Sequence, residues 1–177
     1  MYGIIYKTIE QYVTERFSTD QWETIRKNID IDTSLTDLPY NDALTYSFAI
    51  TIAHETGMPV EEVLDAIGER IIETTTSNIK GFMDSRGNNF REYLINLPNF
   101  HNRMMLIYPE LTPPEFRISN INDKSLYVHY VSKTKGLRSF VKGYLKGVAK
   151  FFNDPAIIET IPYQSESSPQ EVFKISW

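Results

Sequence analysis

The sequence predicts an α+β fold, with helices in the first half of the chain and a mainly antiparallel four-stranded sheet in the second. Apolar residues recur every three or four positions up to about residue 108, which is typical of helices that bury one face. Beyond that point, residues 116–121, 125–132, 156–163 and 171–177 read as strands. With 177 residues and 41% hydrophobic content, the chain fits one domain with a buried core.

The helices of the first half are predicted from caps and apolar spacing. The first covers about residues 3–13, and the second follows a Ser18 cap. The third begins at Asn41 or Asp42, and the fourth takes Pro59 in its first turn. The inward-facing residues are Ile5, Ile9, Val13, Trp22, Ile25, Ile29, Leu44, Phe48, Ile52, Val60, Val63, Leu64, Ile67 and Ile71.

A fifth helix is predicted over residues 88–108, and it carries the most informative residue, His101. Its apolar face comprises Phe90, Leu94, Leu97, His101, Met104 and Tyr108. Pro98 should kink this helix or mark a fresh start, because proline lacks the backbone N–H. A neutral histidine on a buried, methionine-rich face keeps one ring nitrogen for a ligand, and iron in a flat apolar cofactor would suit it. The alternative is a core histidine that hydrogen-bonds a backbone carbonyl.

The other two histidines are poorer candidates for an iron ligand. His54 lies near the end of the third helix, where an exposed imidazole would complement the helix dipole. His129 lies on the opposite strand face from Tyr130 and Ser132. His101 is therefore the candidate metal ligand, and no catalytic constellation is visible.

A sixth helix follows residue 136, with an apolar stripe made of Leu137, Phe140, Val141, Tyr144, Leu145, Val148 and Phe152. Two features of the fourth helix stand apart from its apolar face. Gly68 lies inside it and weakens the helix prediction slightly. The acidic residues Glu61, Glu62 and Asp65 are interpreted as a solvated helix face.

Composition excludes several classes of protein. A net charge of −5 without a basic arm or stripe disfavours nucleic-acid binding. The absence of cysteine excludes disulfides, cysteine–zinc sites, iron–sulfur clusters and thiol catalysis. The N-terminus has no signal-peptide pattern, and no run approaches about 18 apolar residues, so a cytoplasmic protein without membrane insertion is expected.

Four segments, in order, resemble the haem nitric oxide/oxygen binding (H-NOX) family, which includes the sensor domain of soluble guanylate cyclase. They are Met-Tyr-Gly-Ile-Ile at 1–5; the run from His101 through Ile-Tyr-Pro at 107–109 to Thr-Pro-Pro-Glu-Phe at 112–116; Leu-Tyr-Val-His-Tyr-Val-Ser at 126–132; and Lys-Gly-Leu at 135–137 with the helix ending at 152. The third segment resembles the start of the family's Tyr-x-Ser-x-Arg signature. The resemblance spans essentially the whole chain and is to the standalone bacterial type.

The resemblance implies a single domain over residues 1–177 that binds haem b. A helical subdomain, about 1–60, would pack on a haem-binding α/β subdomain, about 61–177, with the haem buried between them. His101 would be the proximal iron ligand.

The family also implies hydroxyl donors for the haem propionates. Tyr130 and Ser132 would fill this role, because residues two apart on a strand share a face. The position of the family's arginine holds Thr134, so a hydroxyl replaces a charged clamp. We expect one of the neighbouring cations to supply the missing charge; the candidates are Lys133, Lys135 and Arg138.

Gas selectivity follows from the side chains expected around the iron. Family members that hold oxygen use a distal tyrosine, and alignment puts Phe140 there, or Ser139 if the register shifts by one. The other cofactor contacts expected from the resemblance are Ile5, Ile9, Ile71, Met105 and Pro114. Pro114 and Ile5 would press on the haem and bend it. Without a hydrogen-bond donor, we expect nitric oxide and CO to bind and oxygen to be excluded.

The resemblance implies a sensor rather than an enzyme. Nitric oxide would rupture the bond between the iron and His101, and the helix that bears His101 would shift as a two-state switch. The signal would pass in trans to a histidine kinase or a cyclic-di-GMP enzyme. The alternatives are a haem-dependent enzyme, a haem carrier without signalling, and a fold that has lost haem.

Overall fold

The computed structural model describes residues 2–29, 42–78, 83, 86–107, 114–162 and 170–177. Within these ranges a few side chains lie outside the description: Tyr2, Asp42, Asn78, His101, Met104, Met105 and Ile107.

In the described part of the chain, helices fill the first half and a further helix lies between the second and third strands, as the sequence predicts. The elements are α1 (Tyr2–Arg16), α2 (Thr19–Asn28), α3 (Asp42–Thr56), α4 (Val60–Asn78), α5 (Phe90–Ile107), β1 (Glu115–Ser119), β2 (Ser125–Val131), α6 (Arg138–Phe151), β3 (Ile157–Ile161) and β4 (Gln170–Ser176). The strand order is β1-β2-β4-β3, and every neighbouring pair is antiparallel. The prediction of an α+β fold with a four-stranded antiparallel sheet is confirmed.

The strands end one or two residues before their predicted ends. This matters most for β2, which ends at Val131 and leaves Ser132 just beyond the strand. Along β2 the side chains alternate between buried and half-buried, so Leu126, Val128 and Tyr130 face the core.

The N-terminal helices enclose an aromatic cluster. The rings of Trp22 and Phe48 are stacked with their centroids 5.8 Å apart, and Tyr6 meets both edge-on. The predicted cap of α2 is present, since the Ser18 hydroxyl accepts a hydrogen bond from the Gln21 N–H at 3.1 Å.

Helices α4 and α6 cross in direct backbone contact because glycine occupies three positions of the crossing. A Cβ atom placed on Gly68 would lie 2.1 Å from the Phe140 carbonyl oxygen. A Cβ on Gly143 would lie 2.0 Å from the carbonyl oxygen of Asp65, and one on Gly147 would lie 2.3 Å from that of Glu69. Gly68, which weakens the helix prediction locally, is therefore required by the packing of α6 on α4.

Ion pairs flank the same crossing. The Lys146 ammonium lies 2.8 Å from both carboxylate oxygens of Asp65, and Lys150 lies 3.4 Å from Glu69. The interpretation of Asp65 as part of a solvated face is therefore wrong, because the close approach of α6 brings a lysine to it. Glu61 and Glu62 are exposed, as expected.

Helix α5 continues through Pro98 without interruption. Of the two alternatives for this residue, a fresh helix start is therefore wrong. Proline removes one hydrogen bond from the ladder, but the turns before it are held in the core by Leu94 and Leu97.

We expect Gly143→Ala to destabilise the fold sharply. The added methyl group would overlap the Asp65 carbonyl, and the backbones would have to separate, which costs about 1–3 kcal/mol or more in overpacked cores. Lys142→Ala, one residue earlier on α6, should change the free energy of unfolding by less than about 0.5 kcal/mol. Urea unfolding of both variants tests this, and equal stability of Gly143→Ala and the wild type would contradict the close crossing.

Candidate functional site

The helix that carries His101 begins at a reciprocal side-chain cap. The Asn89 side-chain oxygen accepts a hydrogen bond from the Glu92 N–H at 2.9 Å. The Glu92 carboxylate in turn accepts from the Asn88 N–H at 2.8 Å and from the Asn89 amide at 3.0 Å. These hydrogen bonds lower the pKa of the Glu92 carboxyl group, and the bond from the Asn88 N–H makes the largest contribution to this shift. The cap fixes the residue at which α5 starts.

His101 lies in the C-terminal half of α5, but its side chain is outside the described residues. The predicted apolar face is buried where it is described, since Phe90, Leu94 and Leu97 are at most 2% exposed. The side chains of Met104 and Met105 and all of Tyr108 also lie outside the described part. The roles of His101 and Met105 therefore stay predictions.

The other two histidines lie where the sequence predicts. The His54 side chain is 83% exposed at the end of α3, with Nδ1 3.3 Å from the Glu55 carboxylate. His129 points away from the core face of β2, and its Nε2 is 2.7 Å from the Ser119 hydroxyl on the neighbouring strand.

The hydroxyl residues at the end of β2 form a buried group. Tyr130 is 3% exposed, and its ring packs edge-on against Phe116 with centroids 5.2 Å apart. Ser132 is also buried, and its hydroxyl oxygen accepts a hydrogen bond from the Thr134 N–H at 3.0 Å. The contact of Thr134 with Ser132 is therefore made by its backbone N–H and not by its side chain.

The cations considered as substitutes for the family's arginine differ in their surroundings. Arg138 donates to the Glu171 carboxylate of β4 at 2.5 Å, so its charge is already engaged with the sheet. Lys133 and Lys135 are exposed and lie on either side of Thr134.

The apolar positions expected around the cofactor come from three different helices and one loop. Ile9 on α1, Ile71 on α4 and Phe140 on α6 are buried in one core cluster, and Ile5 packs against it from α1. Gly68 brings α4 against the backbone of Phe140, and Ile71 lies one turn further along the same helix face. Pro114 is half-buried immediately before β1.

A second group of buried polar residues was not predicted. The hydroxyls of Tyr93 on α5 and Tyr144 on α6 form a hydrogen bond. Burial is the main reason that the pKa of both tyrosines is raised, that of Tyr144 well above its usual value. The guanidinium carbon of Arg86 lies 3.7 Å from the centre of the Phe100 ring, and desolvation lowers the pKa of Arg86. The one available signal was a tyrosine on an otherwise apolar helix stripe, since a buried phenol requires a partner.

Helices α1, α4, α5 and α6 with the antiparallel sheet define an α+β domain whose core combines apolar side chains with buried hydroxyl residues at the end of β2. The family model for Haem-NO-binding matches residues 2–160. The chain therefore belongs to the Haem-NO-binding (H-NOX) family, haem gas-sensor domains related to soluble guanylate cyclases.

Curated relatives to which the chain is similar are much longer proteins. The chain is 24% identical over 176 residues to the soluble guanylate cyclase gcy-31 of Caenorhabditis elegans, covering 97% of this chain and 25% of that protein. It is 28% identical over 174 residues to gcy-35 of the same organism, covering 89% of this chain and 24% of that protein. The chain thus spans about a quarter of the length of these relatives.

Solved structures share the fold over the full length. An oxygen-binding H-NOX domain related to soluble guanylate cyclases, in its oxygen complex, has a TM-score of 0.81 at 19% identity, covering 99% of this chain and 94% of that chain. A variant H-NOX domain of T. Tengcongensis has a TM-score of 0.82 at 18% identity, covering 99% and 97%.

The described residues fit the chemistry of a haem group. A porphyrin needs apolar walls, and the side chains that can form them are Ile5, Ile9, Ile71 and Phe140. It also needs hydrogen-bond donors for two carboxylates, which the hydroxyls of Tyr130 and Ser132 can supply. Within the described ranges, no cluster of three or more histidine, cysteine or acidic side chains could hold a metal ion. In the same ranges, no helix has the length and hydropathy needed to cross a membrane.

The cap of α5 should make stability depend on pH. The lowered pKa of Glu92 means that its charged form stabilises the fold above the pKa of an unfolded glutamate, about 4.3, and that this contribution is lost as the pH falls through the folded value. We expect Glu92→Gln to be less stable than the wild type at pH 7 and the difference to shrink as the pH falls below the pKa of an unfolded glutamate and through the folded value. Glu73→Gln, which removes an exposed carboxylate from the middle of α4, is the matched control. A difference that persists unchanged in acid would contradict the role of the carboxylate charge.

Proposed function

We propose that this chain is a haem b sensor of nitric oxide that excludes oxygen. The observation that carries the proposal is the apolar set on α1, α4 and α6: Ile9, Ile71 and Phe140 are buried, Ile5 packs against them, and none of the four side chains carries a hydrogen-bond donor. A hydrogen bond to a charged group contributes about 1.5–3 kcal/mol, which is roughly 10- to 150-fold in affinity. Oxygen depends on such a donor, whereas nitric oxide and CO do not.

The hydroxyl of Tyr144 does not alter this expectation. Tyr144 follows Phe140 by one turn of α6, so it is the nearest phenol on the same stripe. In the proposed arrangement, the Tyr144 hydroxyl is the donor in its hydrogen bond with Tyr93, so that its proton is not offered to a bound gas. Ser139, the alternative if the register shifts by one, is half-buried at the adjacent position.

The proposed signal is a movement of α5. Haem would supply the ferrous iron at which nitric oxide binds. His101 would hold that iron, and we expect His101 to be released from it when nitric oxide is bound. Ile5 and Pro114 would press on the ring from α1 and from the loop before β1, so that the release of His101 relieves their contact. The helix would then shift relative to the N-terminal helices.

The finer assignments are also proposals. The subdomains would be about residues 1–60 and 61–177, with α4 at their junction. The chain would act without catalysis of its own, in the cytoplasm, and would pass its signal to a histidine kinase or a cyclic-di-GMP enzyme. The guanylate cyclases to which it is similar suggest a cyclase output as a further possibility for a longer protein.

The experiment is reconstitution with hemin followed by visible spectroscopy of the ferrous protein. We expect a Soret band that shifts with nitric oxide and with CO and does not change in air beyond slow oxidation. His101→Ala should lose the unliganded spectrum or the haem itself, whereas the exposed His54→Ala should not. A stable oxygen complex would contradict the selectivity, an unchanged His101→Ala spectrum would contradict the ligand, and turnover with peroxide would favour an enzyme.

Retention of haem should depend on Ser132 and on the lysines beside it. We expect Ser132→Ala, which removes the buried hydroxyl, to speed haem transfer to an acceptor globin by about 2- to 13-fold, as expected for loss of one hydrogen bond. Lys133→Gln and Lys135→Gln should speed transfer more at low salt than at high salt, because their charges are exposed. Arg138→Gln is the control, since that side chain is engaged with Glu171. A large effect of Arg138→Gln alone would reassign the anchoring charge.

A further inference from the structure

We propose that the hydrogen bond between the hydroxyls of Tyr93 and Tyr144 is a tie that fixes the position of α5, and with it His101, relative to α6. Release of this tie accompanies the movement of α5. Both tyrosines are positioning residues rather than ligands. The inference rests on the proposed function for its link to the iron, and the existence of the tie can be tested separately.

The hydrogen bond between the two tyrosines joins α6, which is in direct backbone contact with α4, to α5, which is not. Helix α6 is locked to α4 by backbone contact at Gly68, Gly143 and Gly147. Helices α5 and α6 make no comparable backbone contact in the described part of the chain. They meet there through side chains, namely the hydrogen bond between Tyr93 and Tyr144 and the tilted contact of the Tyr93 ring with Phe152 at the end of α6. Tyr93 lies in the first turn of α5 at 1% exposure, and Tyr144 lies in the middle of α6.

The turn before α5 is bound to the helix, so the two form one body. The Arg86 guanidinium stacks on Phe100, the residue next to His101. The Asn96 side-chain amide donates to the Arg86 carbonyl oxygen at 3.3 Å. Tyr93 and Phe100 are seven residues apart, which places them on the same face two turns from each other. A constraint at Tyr93 is therefore transmitted along the helix face that leads to the ligand.

The chemistry of the pair suits an element with two states. Burial raises the pKa of both phenols, so both stay protonated at physiological pH and share one neutral hydrogen bond. If α5 moves away, both buried hydroxyls lose that partner at once, which is costly away from water. The tie is therefore either formed or broken, with little stability in between.

A double-mutant cycle on the haem-loaded full chain tests the tie. The variants are Tyr93→Phe, Tyr144→Phe and the double variant, which keep both rings and remove only hydroxyls. We expect each single change to speed hydrogen exchange of the α5 amides by about 2- to 13-fold, with no further increase in the double variant. Tyr12→Phe is the control, because Tyr12 is a buried tyrosine of α1 whose hydroxyl lies 3.8 Å from the Met58 sulfur.

To test whether the hydrogen bond influences the iron ligand, a measurement is needed that a general destabilisation of the fold would not change. We expect the same three variants to shift the iron–histidine stretching band of the ferrous protein and to speed nitric oxide-driven loss of the histidine ligand, while Tyr12→Phe does neither. Additive exchange effects, or exchange effects with an unchanged stretching band, would overturn the proposal.

The same exchange experiment on the haem-free chain distinguishes a failure of the proposed tie from a failure of the proposed function. If the wild type takes up no haem, the proposed function fails. The exchange cycle run on that haem-free chain then decides the tie alone: additive effects show that the hydroxyls do not couple. Coupled effects there would leave a structural contact without any link to iron, which also overturns the inference as stated.

Discussion

The direct contact between the backbones of α4 and α6 is the constraint on which the rest of this structure depends. Three glycines allow it, and a single Cβ at any of them would fall within 2.3 Å of a carbonyl oxygen. Because the two helices cannot slide without steric overlap, Ile71 on α4 and Phe140 on α6 are held in a fixed relation. Helix α1 packs on α4 and adds Ile5 and Ile9 to the same region. The apolar side of the candidate site is thus built on two helices in direct backbone contact.

Helix α5 is held by side chains rather than by a close backbone crossing. Its apolar face is buried in the core through Phe90, Leu94 and Leu97, and the helix also packs on β1. A polar cap sets its first turn, a cation stacks on one of its rings, and one phenol reaches across to α6. In the switch proposed above, α5 would be the element that moves against the α4–α6 pair.

Much of this fold could be predicted from local signals. Apolar spacing located the helices, two-residue alternation located the strands, and Ser18 identified a cap, because each signal is contained within a few neighbouring residues. The errors arose where the decisive partner is distant in sequence. Asp65 looked solvated because Lys146, its partner, lies on a different helix. Gly68 looked like a weakness because the backbone that needs it belongs to α6.

The same distinction between local signals and distant partners applies to the candidate site. Tyr130 and Ser132 were singled out by strand periodicity and the family motif; both are buried, although Ser132 lies just beyond the end of β2, and their role stays a prediction. The pairing of Tyr93 with Tyr144 could not be predicted, because either phenol alone is compatible with an apolar stripe. What a sequence reveals least is which buried polar groups find one another across elements.

Under the proposed propionate anchor, Thr134 in the place of the family's arginine would let the site keep its geometry while it loses a charge. The arginine would add both position and charge, and in this chain the two would be separated. Position would come from the Thr134 N–H, which donates to the Ser132 hydroxyl at 3.0 Å and could do so with almost any residue at 134. Charge would be left to the exposed lysines, because Arg138 is engaged with Glu171. Since exposed charges are screened by salt and buried hydrogen bonds are not, the part of this anchor that sets geometry would be the part that ionic conditions do not reach.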